Sequence, residues 1–316
     1  MAKKLITLLI PAYNEEPVLE LLFHRLDELT NSNSSYRFEF LFVNDGSRDA
    51  TLKTIQEKSK TDDRISYINL SRNFGKEIAM LAGFDYAKGD AIVNMDADLQ
   101  DPPELIPEMI TYWEQGYDDV YARRRTRAGE SLLKKKTSSW YYRILQSSTR
   151  IPIQIDTGDF RLLSRRFVEA LKEFRESERY TKGMYSWVGF KKKEILYDRD
   201  PRAAGETKWN YGKLINLAID GITSFTTAPL RVSTYVGAFI SCVAFIYIAY
   251  LVIRPLFGVP TVPGYASTMA VILFMGGVQL LSLGIIGEYV ARIFTETKRR
   301  PLYFVEEYHC AAANSQ

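Results

Sequence analysis

The sequence contains few of the residues on which thiol and imidazole chemistry depends. It has two cysteines and two histidines among 316 residues. Cys242 lies inside a long apolar stretch and Cys310 near the C-terminus, so the pair offers neither a disulfide framework nor a cysteine metal cluster. His24 falls in a segment with helical periodicity and His309 in the C-terminal tail. These features argue against a catalytic site built on histidine.

Glycine-rich phosphate-binding loops are also missing. The chain has no GxxxxGK[ST] motif, and no GxGxxG follows its first apolar run. A nucleotide diphosphate would therefore be held through a metal ion. The 41 Lys and Arg residues nearly balance the 38 Asp and Glu residues, which argues against a general binder of nucleic acid or other polyanions and leaves only local basic patches to interpret.

Charge is almost absent from one long region of the chain. Between Arg231 and Glu288 the only other charged residue is Arg254. Segments 232–253 and 265–287 are each long enough, at about 1.5 Å per residue, to cross a hydrocarbon core of about 30 Å. We predict two transmembrane helices there, in preference to a buried helical hairpin of a soluble protein.

The flanking charges predict an orientation for these spans. The KRR triplet at 298–300 follows the second span, and the positive-inside rule then places both the N-terminal region and the tail in the cytoplasm. The opening MAKKLITLLIPAYNEE has too short an apolar stretch for a cleavable signal peptide. We therefore expect a cytoplasmic N-terminal domain attached to a membrane.

The first 125 residues alternate between short apolar runs and segments with helical periodicity. The runs are LITLLI, FEFLFV, ISYINL, AIVNM and DDVYA. This alternation predicts an α/β fold with a mostly parallel sheet covered on both faces. Such sheets bind ligands beyond the carboxyl ends of their strands. The motifs PAYNEE, NDGS, SRNFGK and DADLQ follow the first four runs, so we expect them to meet in one crevice.

The DADLQ motif is a candidate cation site. In an extended segment, alternate side chains share a face, so Asp96, Asp98 and Gln100 would present oxygen ligands together. Oxygen ligands suit Mg²⁺ or Mn²⁺, whose shell is completed by water and substrate phosphate. The alternative is a solvated turn. Asp45 and Glu15 are further carboxylates for a nucleotide base and ribose, although each taken alone is equally consistent with a helix cap or a surface charge.

Basic and aromatic residues are concentrated after the fifth run. Segment 122–145, ARRRTRAGESLLKKKTSSWYYRIL, is followed later by apolar residues at helical spacing in 210–230. Next to two membrane spans, such segments indicate contact with headgroups or with a lipid phosphate. The alternative for the basic run is a solvated face.

Six motifs together resemble one known family. IPAYNEE, VNDGSRDAT, NFGKEIAMLAG, MDADLQDPPE, DTGDFRLLSRR and RAAGETKWNYGKL are similar to the polyprenyl-phosphate branch of the inverting glycosyltransferase family 2, over nearly the whole chain. The resemblance is strongest to bactoprenol glucosyltransferases and more distant to dolichol-phosphate mannosyltransferase. It implies a GT-A nucleotide-sugar-binding, Rossmann-like catalytic domain at 1–209, interfacial helices at 210–230, two transmembrane helices within 231–290 and a cytoplasmic tail at 291–316.

The resemblance also implies roles for individual residues. Those expected to bind the nucleotide sugar are Pro11, Tyr13, Glu15, Asp45, Lys76 and Asp96. Those expected to hold Mg²⁺ or Mn²⁺ are Asp96, Asp98 and Gln100. Asp159, in the TGDF stretch, is the expected catalytic carboxylate together with Asp98, and Asp156 is the alternative to Asp159.

The acceptor would be a lipid phosphate, for which a guanidinium fork is a suitable clamp. Arg123 is the first candidate, followed by Arg161 and Lys208. A phosphate monoester has a second pKa of about 6 and is mostly ionised at neutral pH. Asp159 would then serve more to orient groups than to remove a proton.

These expectations combine into one predicted function. The protein would transfer a hexose, with glucose the first choice, from a UDP-sugar to undecaprenyl phosphate with inversion, at the bacterial plasma membrane. UDP-N-acetylglucosamine, GDP-mannose or an aminoarabinose donor is an alternative, and so is a non-catalytic nucleotide-sugar-binding scaffold. The resemblance implies a homotetramer, with a flippase and a downstream glycosyltransferase as further partners.

Overall fold

The computed structural model describes residues 3–125, 157–177, 179–197, 228–253 and 264–311. Its strands are β1 (Leu5–Ala12), β2 (Arg37–Asn44), β3 (Ile65–Leu70), β4 (Ala91–Asn94), β5 (Asp119–Arg124), β6 (Thr157–Ser164), β7 (Lys192–Tyr197) and β8 (Val305–His309). Its α-helices are α1 (Glu16–Ser32), α2 (Thr51–Ser59), α3 (Lys76–Tyr86), α4 (Ile106–Glu114), α5 (Arg165–Lys172), α6 (Thr181–Val188), α7 (Ala228–Ile253) and α8 (Tyr265–Thr297). A short 3₁₀ turn, Pro103–Leu105, precedes α4.

The strands form one eight-stranded sheet in the order β7-β5-β6-β4-β1-β2-β3-β8. The pairs β1–β2, β2–β3, β1–β4 and β5–β7 are parallel, whereas β4–β6, β5–β6 and β3–β8 are antiparallel. The α/β prediction is therefore confirmed, but the sheet is mixed. The fifth apolar run does not pair with the fourth, because β6 lies between them.

The core lies on both faces of this sheet. Along β1, Leu8 belongs to one buried cluster and Leu9 to the other, as expected when successive side chains point to opposite faces. The first cluster includes the buried stripe of α1, from Leu19 to Leu26, and the second includes α3. Each fully buried leucine contributes about 1.5–3 kcal/mol relative to an exposed one. Because both faces of the sheet are covered by buried side chains, its loops emerge at the ends of the strands.

Both charge-poor segments contain helices. Helix α8 includes a stretch, Phe274–Thr297, that is long and apolar enough to cross a membrane, whereas α7 contains a shorter apolar stretch, Val232–Tyr247. The two helices touch, with Ser233 Oγ donating to Ser282 Oγ at 2.8 Å. Within the described ranges there is one candidate span, so the second transmembrane helix stays a prediction.

The structure adds a strand to what was predicted as a tail. Residues beyond α8 form β8, which pairs antiparallel with β3 at the edge of the catalytic sheet. The predicted interfacial region, 210–230, lies outside the described residues except for its last three, which begin α7. The domain boundaries stay a prediction.

Candidate active site

Four polar motifs emerge from one edge of the sheet. Strands β1, β2 and β4 are parallel neighbours, with Ala12 beside Asn44 and Leu9 beside Asn94, and β3 continues in the same direction next to β2. Their carboxyl ends therefore lie on the same side, where ligands bind in open α/β sheets. The expectation that PAYNEE, NDGS, SRNFGK and DADLQ share one edge agrees with this geometry.

The first loop presents predicted nucleotide-binding residues on the rim of the site. Pro11 is the penultimate residue of β1, and the Tyr13 side chain is exposed just beyond the strand. Glu15 is half-buried at the start of α1, and its backbone N–H donates to Thr51 Oγ1 at 2.9 Å. The loop is thus bound to the first residue of α2. Contact of these side chains with a nucleotide stays a prediction.

Asp45 connects the second loop to the third. Its side chain is buried, and its two carboxylate oxygens accept the backbone N–H groups of Phe74 at 2.7 Å and Gly75 at 2.9 Å. Burial raises the pKa of Asp45, although the two N–H groups act to lower it. Next to it, Gly46 has φ +64°, and a Cβ there would lie 2.5 Å from the backbone of Arg72. Asp45 therefore holds the loops together, and a direct contact with nucleotide stays a prediction.

The DADLQ motif forms a turn. Strand β4 ends at Asn94, and Leu99 has a left-handed φ of 59°. Asp98 accepts the backbone N–H of Gln100 at 3.2 Å. Asp96 and Asp98 are half-buried, whereas Gln100 is 8% exposed. We expected the three side chains to share one face because a strand was assumed to continue through the motif. The chain leaves the extended conformation before Gln100, so that expectation does not hold for Gln100. Asp96 and Asp98 remain accessible.

Lys76 bridges two of the predicted carboxylates. From the first residue of α3, its Nζ lies 2.6 Å from Asp96 Oδ1 and 2.9 Å from Asp159 Oδ2. Burial lowers the pKa of Lys76, but the charges of Asp159 and Asp96 outweigh it and hold that pKa well above its usual value. Lys76 is thus a firmly protonated cation between the DADLQ turn and β6.

Asp159 lies on β6, next to the end of β4. Asn94 Nδ2 donates to the Asp159 backbone carbonyl at 2.9 Å. The side-chain Oδ1 is buried and has no hydrogen-bond partner among the described residues. Burial acts to raise the pKa of Asp159, but Lys76 and Lys182 lower it to about 2. The residue is therefore an ionised carboxylate whose Oδ2 contacts Lys76.

The sequence did not indicate a second group of charges beside Asp159. Glu77 accepts the backbone N–H of Thr181 at 3.1 Å and also its hydroxyl, which joins the start of α3 to the start of α6. Burial raises the pKa of Glu77 to about 7, with a further contribution from the charge of Asp159. Lys182, which follows Thr181, is half-buried, and burial lowers its pKa. Nothing local in TKGMYSW marks this role, since its partners are about a hundred residues away.

The structure corrects the prediction for Arg161. The side chain is fully buried, pairs with Asp119 at 3.0 Å and lies 3.7 Å from the centre of the Tyr185 ring. Asp119 is equally inaccessible. A lipid phosphate cannot reach a guanidinium in this position, so we assign Arg161 to the packing of β6 against β5.

Breaking this buried pair should strongly destabilise the fold. We expect Arg161→Met to lower the free energy of unfolding by about 3–5 kcal/mol, because the buried carboxylate of Asp119 loses the guanidinium that pairs with it. The double variant Arg161→Met with Asp119→Leu should recover most of that loss. Thermal unfolding of the detergent-solubilised protein measures both. Equal destabilisation by the single and double variants would contradict this explanation.

Arg123 is the predicted phosphate-binding residue that the structure leaves accessible. It lies near the end of β5 with 43% of its side chain exposed, 3.2 Å from Glu194. Its binding to the acceptor stays a prediction. Lys208 and Asp156 lie outside the described residues.

The residues at this edge are suited to a hard divalent cation. Asp96 and Asp98 supply accessible carboxylate oxygens. The buried Asp101 accepts the Asp96 N–H at 3.3 Å through Oδ2, and burial together with the charge of Asp96 raises the pKa of Asp101 to about 7. Among the described residues no three acidic, histidine or cysteine side chains form a complete metal site. Mg²⁺ is commonly bound by one or two carboxylates, and water and substrate phosphate occupy its other coordination positions. The donor set therefore fits such an ion when substrate supplies the other oxygens.

Comparisons with known proteins identify the family of the chain. The family described as glycosyl transferase family 2 matches residues 7–172, just over half of the chain, and the GtrB C-terminal hairpin matches 228–293.

The similar proteins include an uncharacterized glycosyltransferase of Synechocystis, 50% identical over 96% of this chain and 95% of that protein. They also include the prophage bactoprenol glucosyl transferase homolog of Escherichia coli, 43% identical over 95% of this chain and 98% of that protein. Among solved structures, mannosyl-3-phosphoglycerate synthase from Rubrobacter xylanophilus is 11% identical with a TM-score of 0.49, over 83% of this chain and 78% of that one. On the family match and the identity to its relatives, the chain belongs to glycosyltransferase family 2.

Proposed function

We propose that the protein transfers glucose from UDP-glucose to a polyprenyl phosphate, with undecaprenyl phosphate as the carrier. The acceptor class and the sugar are supported by relatives named bactoprenol glucosyl transferase, of which the Shigella flexneri protein is 43% identical over 96% of this chain. The observation that carries the proposal is the group formed by Asp96, Lys76 and Asp159 at the edge where four strand ends meet. It places negative and positive charge together where a nucleotide sugar and an acceptor phosphate would meet.

On the donor side, different residues would bind the nucleotide and the metal ion. The loops after β1 and β2 would bind the nucleotide, and Asp96 and Asp98 would hold Mg²⁺ or Mn²⁺. The ion would neutralise charge on the departing diphosphate. Because Lys76 already contacts Asp96, it is placed to contribute a second positive charge beside the same group.

On the acceptor side the chain has to position an existing nucleophile. A lipid phosphate is mostly ionised at neutral pH, since its second pKa is about 6. Asp159, whose pKa is about 2, is a weak base and would orient the cations that surround it. Arg123 would clamp the acceptor phosphate. Attack from the face opposite the diphosphate would invert the anomeric centre and give a β-linked lipid-phosphate sugar.

The acceptor also requires access to the bilayer. The candidate span in α8 and the relatives named for bactoprenol support attachment to the membrane. We propose two spans, α7 and α8, with the catalytic domain on the cytoplasmic side. Tetramer formation and partnership with a flippase remain further parts of this proposal.

A donor and acceptor assay tests the function. Purified protein with Mg²⁺ or Mn²⁺ and polyprenyl phosphate should release UDP from UDP-glucose, and mass spectrometry should find one hexose on the lipid. UDP-N-acetylglucosamine and GDP-mannose serve as competing donors. Failure to release nucleotide from any donor when the lipid is supplied would contradict the proposal, and preference for another donor would correct the sugar.

A further inference from the structure

The C-terminal strand β8 makes specific side-chain contacts with the edge of the catalytic sheet. Asn69 pairs with Glu307 and Leu70 with Val305, so Glu306 is an extra residue in β8, a β-bulge. A bulge redirects side chains that would otherwise alternate. Here it lets the neighbours Glu306 and Glu307 both reach side chains of β3. Glu306 accepts from Asn69, and Glu307 accepts from Tyr67.

A chain of hydrogen bonds runs from Glu306 through the loop after β2 to the loop after β1. Asn69 Nδ2 donates to Glu306 Oε2 at 2.9 Å, and Asn44 Nδ2 donates to Asn69 Oδ1 at 2.8 Å. The Ser47 backbone N–H then lies 3.4 Å from Asn44 Oδ1. Ser47 Oγ in turn accepts the backbone N–H of Asn14 at 3.0 Å. Four contacts thus join the tail to the NDGS and PAYNEE loops.

The two ends of this chain fix its direction. A carboxylate at Glu306 can only accept, so it selects the orientation of the Asn69 amide in which nitrogen faces the tail and oxygen faces Asn44. At the other end the Ser47 N–H can only donate, which selects the matching orientation of Asn44. Asn44 and Asn69 are 2% and 7% exposed. Glu306 itself is exposed, so without its carboxylate water can take its place beside Asn69. Because water both donates and accepts, it does not select one orientation of the two amides, and alternative orientations become competitive.

We propose that Glu306 is a positioning residue for the donor site, holding the Asn69 and Asn44 amides in the orientation that fixes the NDGS loop. The inference depends on the donor site proposed above, since Ser47 and Asn14 lie in the loops assigned there to the nucleotide. It gives the segment that follows the candidate membrane span a defined task in binding the soluble substrate.

The adjacent residue provides a matched control. Glu307 accepts from Tyr67 Oη at 2.6 Å and from Gln56 Nε2 at 2.8 Å. Both carboxylates therefore attach the same strand to the domain, but the hydrogen bonds that Glu307 accepts come from β3 and α2 and not from the asparagine pair. A change at Glu307 weakens docking of the tail without removing the acceptor from Asn69.

The experiment compares Glu306→Ala, Glu306→Gln and Glu307→Ala in the full-length protein. We expect Glu306→Ala to raise KM for UDP-glucose about three- to tenfold, the range that corresponds to the loss of one hydrogen bond. The kcat and the KM for polyprenyl phosphate should change less than twofold. Glu306→Gln, whose amide oxygen can accept the same bond, should restore the donor KM, and Glu307→Ala should leave it at the wild-type value even where Tm falls.

A second readout separates this inference from the proposed function. Amide hydrogen exchange in the segment around Ser47 should be faster in Glu306→Ala than in Glu307→Ala, whether or not substrate is turned over. If the wild type releases no UDP, the donor proposal fails and exchange alone tests the hydrogen-bond chain. Equal effects of Glu306→Ala and Glu307→Ala on exchange, or a Glu306→Gln variant that behaves like Glu306→Ala, would overturn the inference.

Discussion

Asp159→Asn is expected to lower kcat by about a hundredfold to a thousandfold, the range found when one preorganised electrostatic contact that stabilises a transition state is removed. The carboxylate is ionised, contacts Lys76 at 2.9 Å and has a buried Oδ1 without a partner in the described parts of the chain. The amide keeps the shape but loses the charge that holds Lys76 in place. Binding of UDP should stay close to wild type, because Lys76 keeps its contact with Asp96.

The matched control for this variant is Asp118→Asn. Asp118 is also a buried carboxylate, and hydrogen bonds from Arg166 lower its pKa. It lies outside the proposed site, so its amide variant should turn over at the wild-type rate after correction for any loss of folded protein. The assay measures initial rates of UDP release, with thermal unfolding and UDP calorimetry run alongside. A kcat of Asp159→Asn within threefold of the control would show that the carboxylate has no part in turnover.

The sequence was informative where structure is determined locally. All five apolar runs form strands, because burial on both faces of a sheet leaves a nearly continuous apolar run in consecutive residues. The late strands were not predicted. Strand β8, VEEYH, carries two acidic residues, and it is a strand because β3 offers an open edge and because the bulge at Glu306 directs both carboxylates to partners.

The roles of individual side chains were harder to predict from the sequence, because they depend on partners that are distant in the chain. Asp159 and Arg161 lie two residues apart on β6, and nothing in the neighbouring residues distinguishes a carboxylate of the proposed site from a structural guanidinium. Their environments differ because Asp119 on β5 takes up Arg161, whereas Lys76 on α3 faces Asp159. Lys182 was missed for the same reason. A useful signal was present in the buried Asn94, a polar residue that ends an apolar run and supports the Asp159 backbone.

Asp98→Asn is expected to remove the effect of divalent cation on UDP binding and to reduce turnover by a factor comparable to that of chelation. Asp96 and Asp98 are the accessible carboxylates of the DADLQ turn, but Asp96 already has Lys76 as a partner. Asp98 is the other accessible carboxylate of the turn, so as a predicted ligand its charge should help to hold an added cation. Without the ion, the diphosphate would meet the negative charges of Asp96 and Asp98, so binding should weaken.

Glu104→Gln provides the matched control, because Glu104 follows the same turn but bonds to Arg25 at 2.6 Å, away from the site. Calorimetry of UDP binding should show tightening by Mg²⁺ or Mn²⁺ in the wild type and in Glu104→Gln, and no tightening in Asp98→Asn. EDTA should bring the wild type to the level of Asp98→Asn. If UDP binds the wild type equally well with and without chelator, the oxygen cluster does not hold the ion, and Lys76 would be the cation that meets the diphosphate.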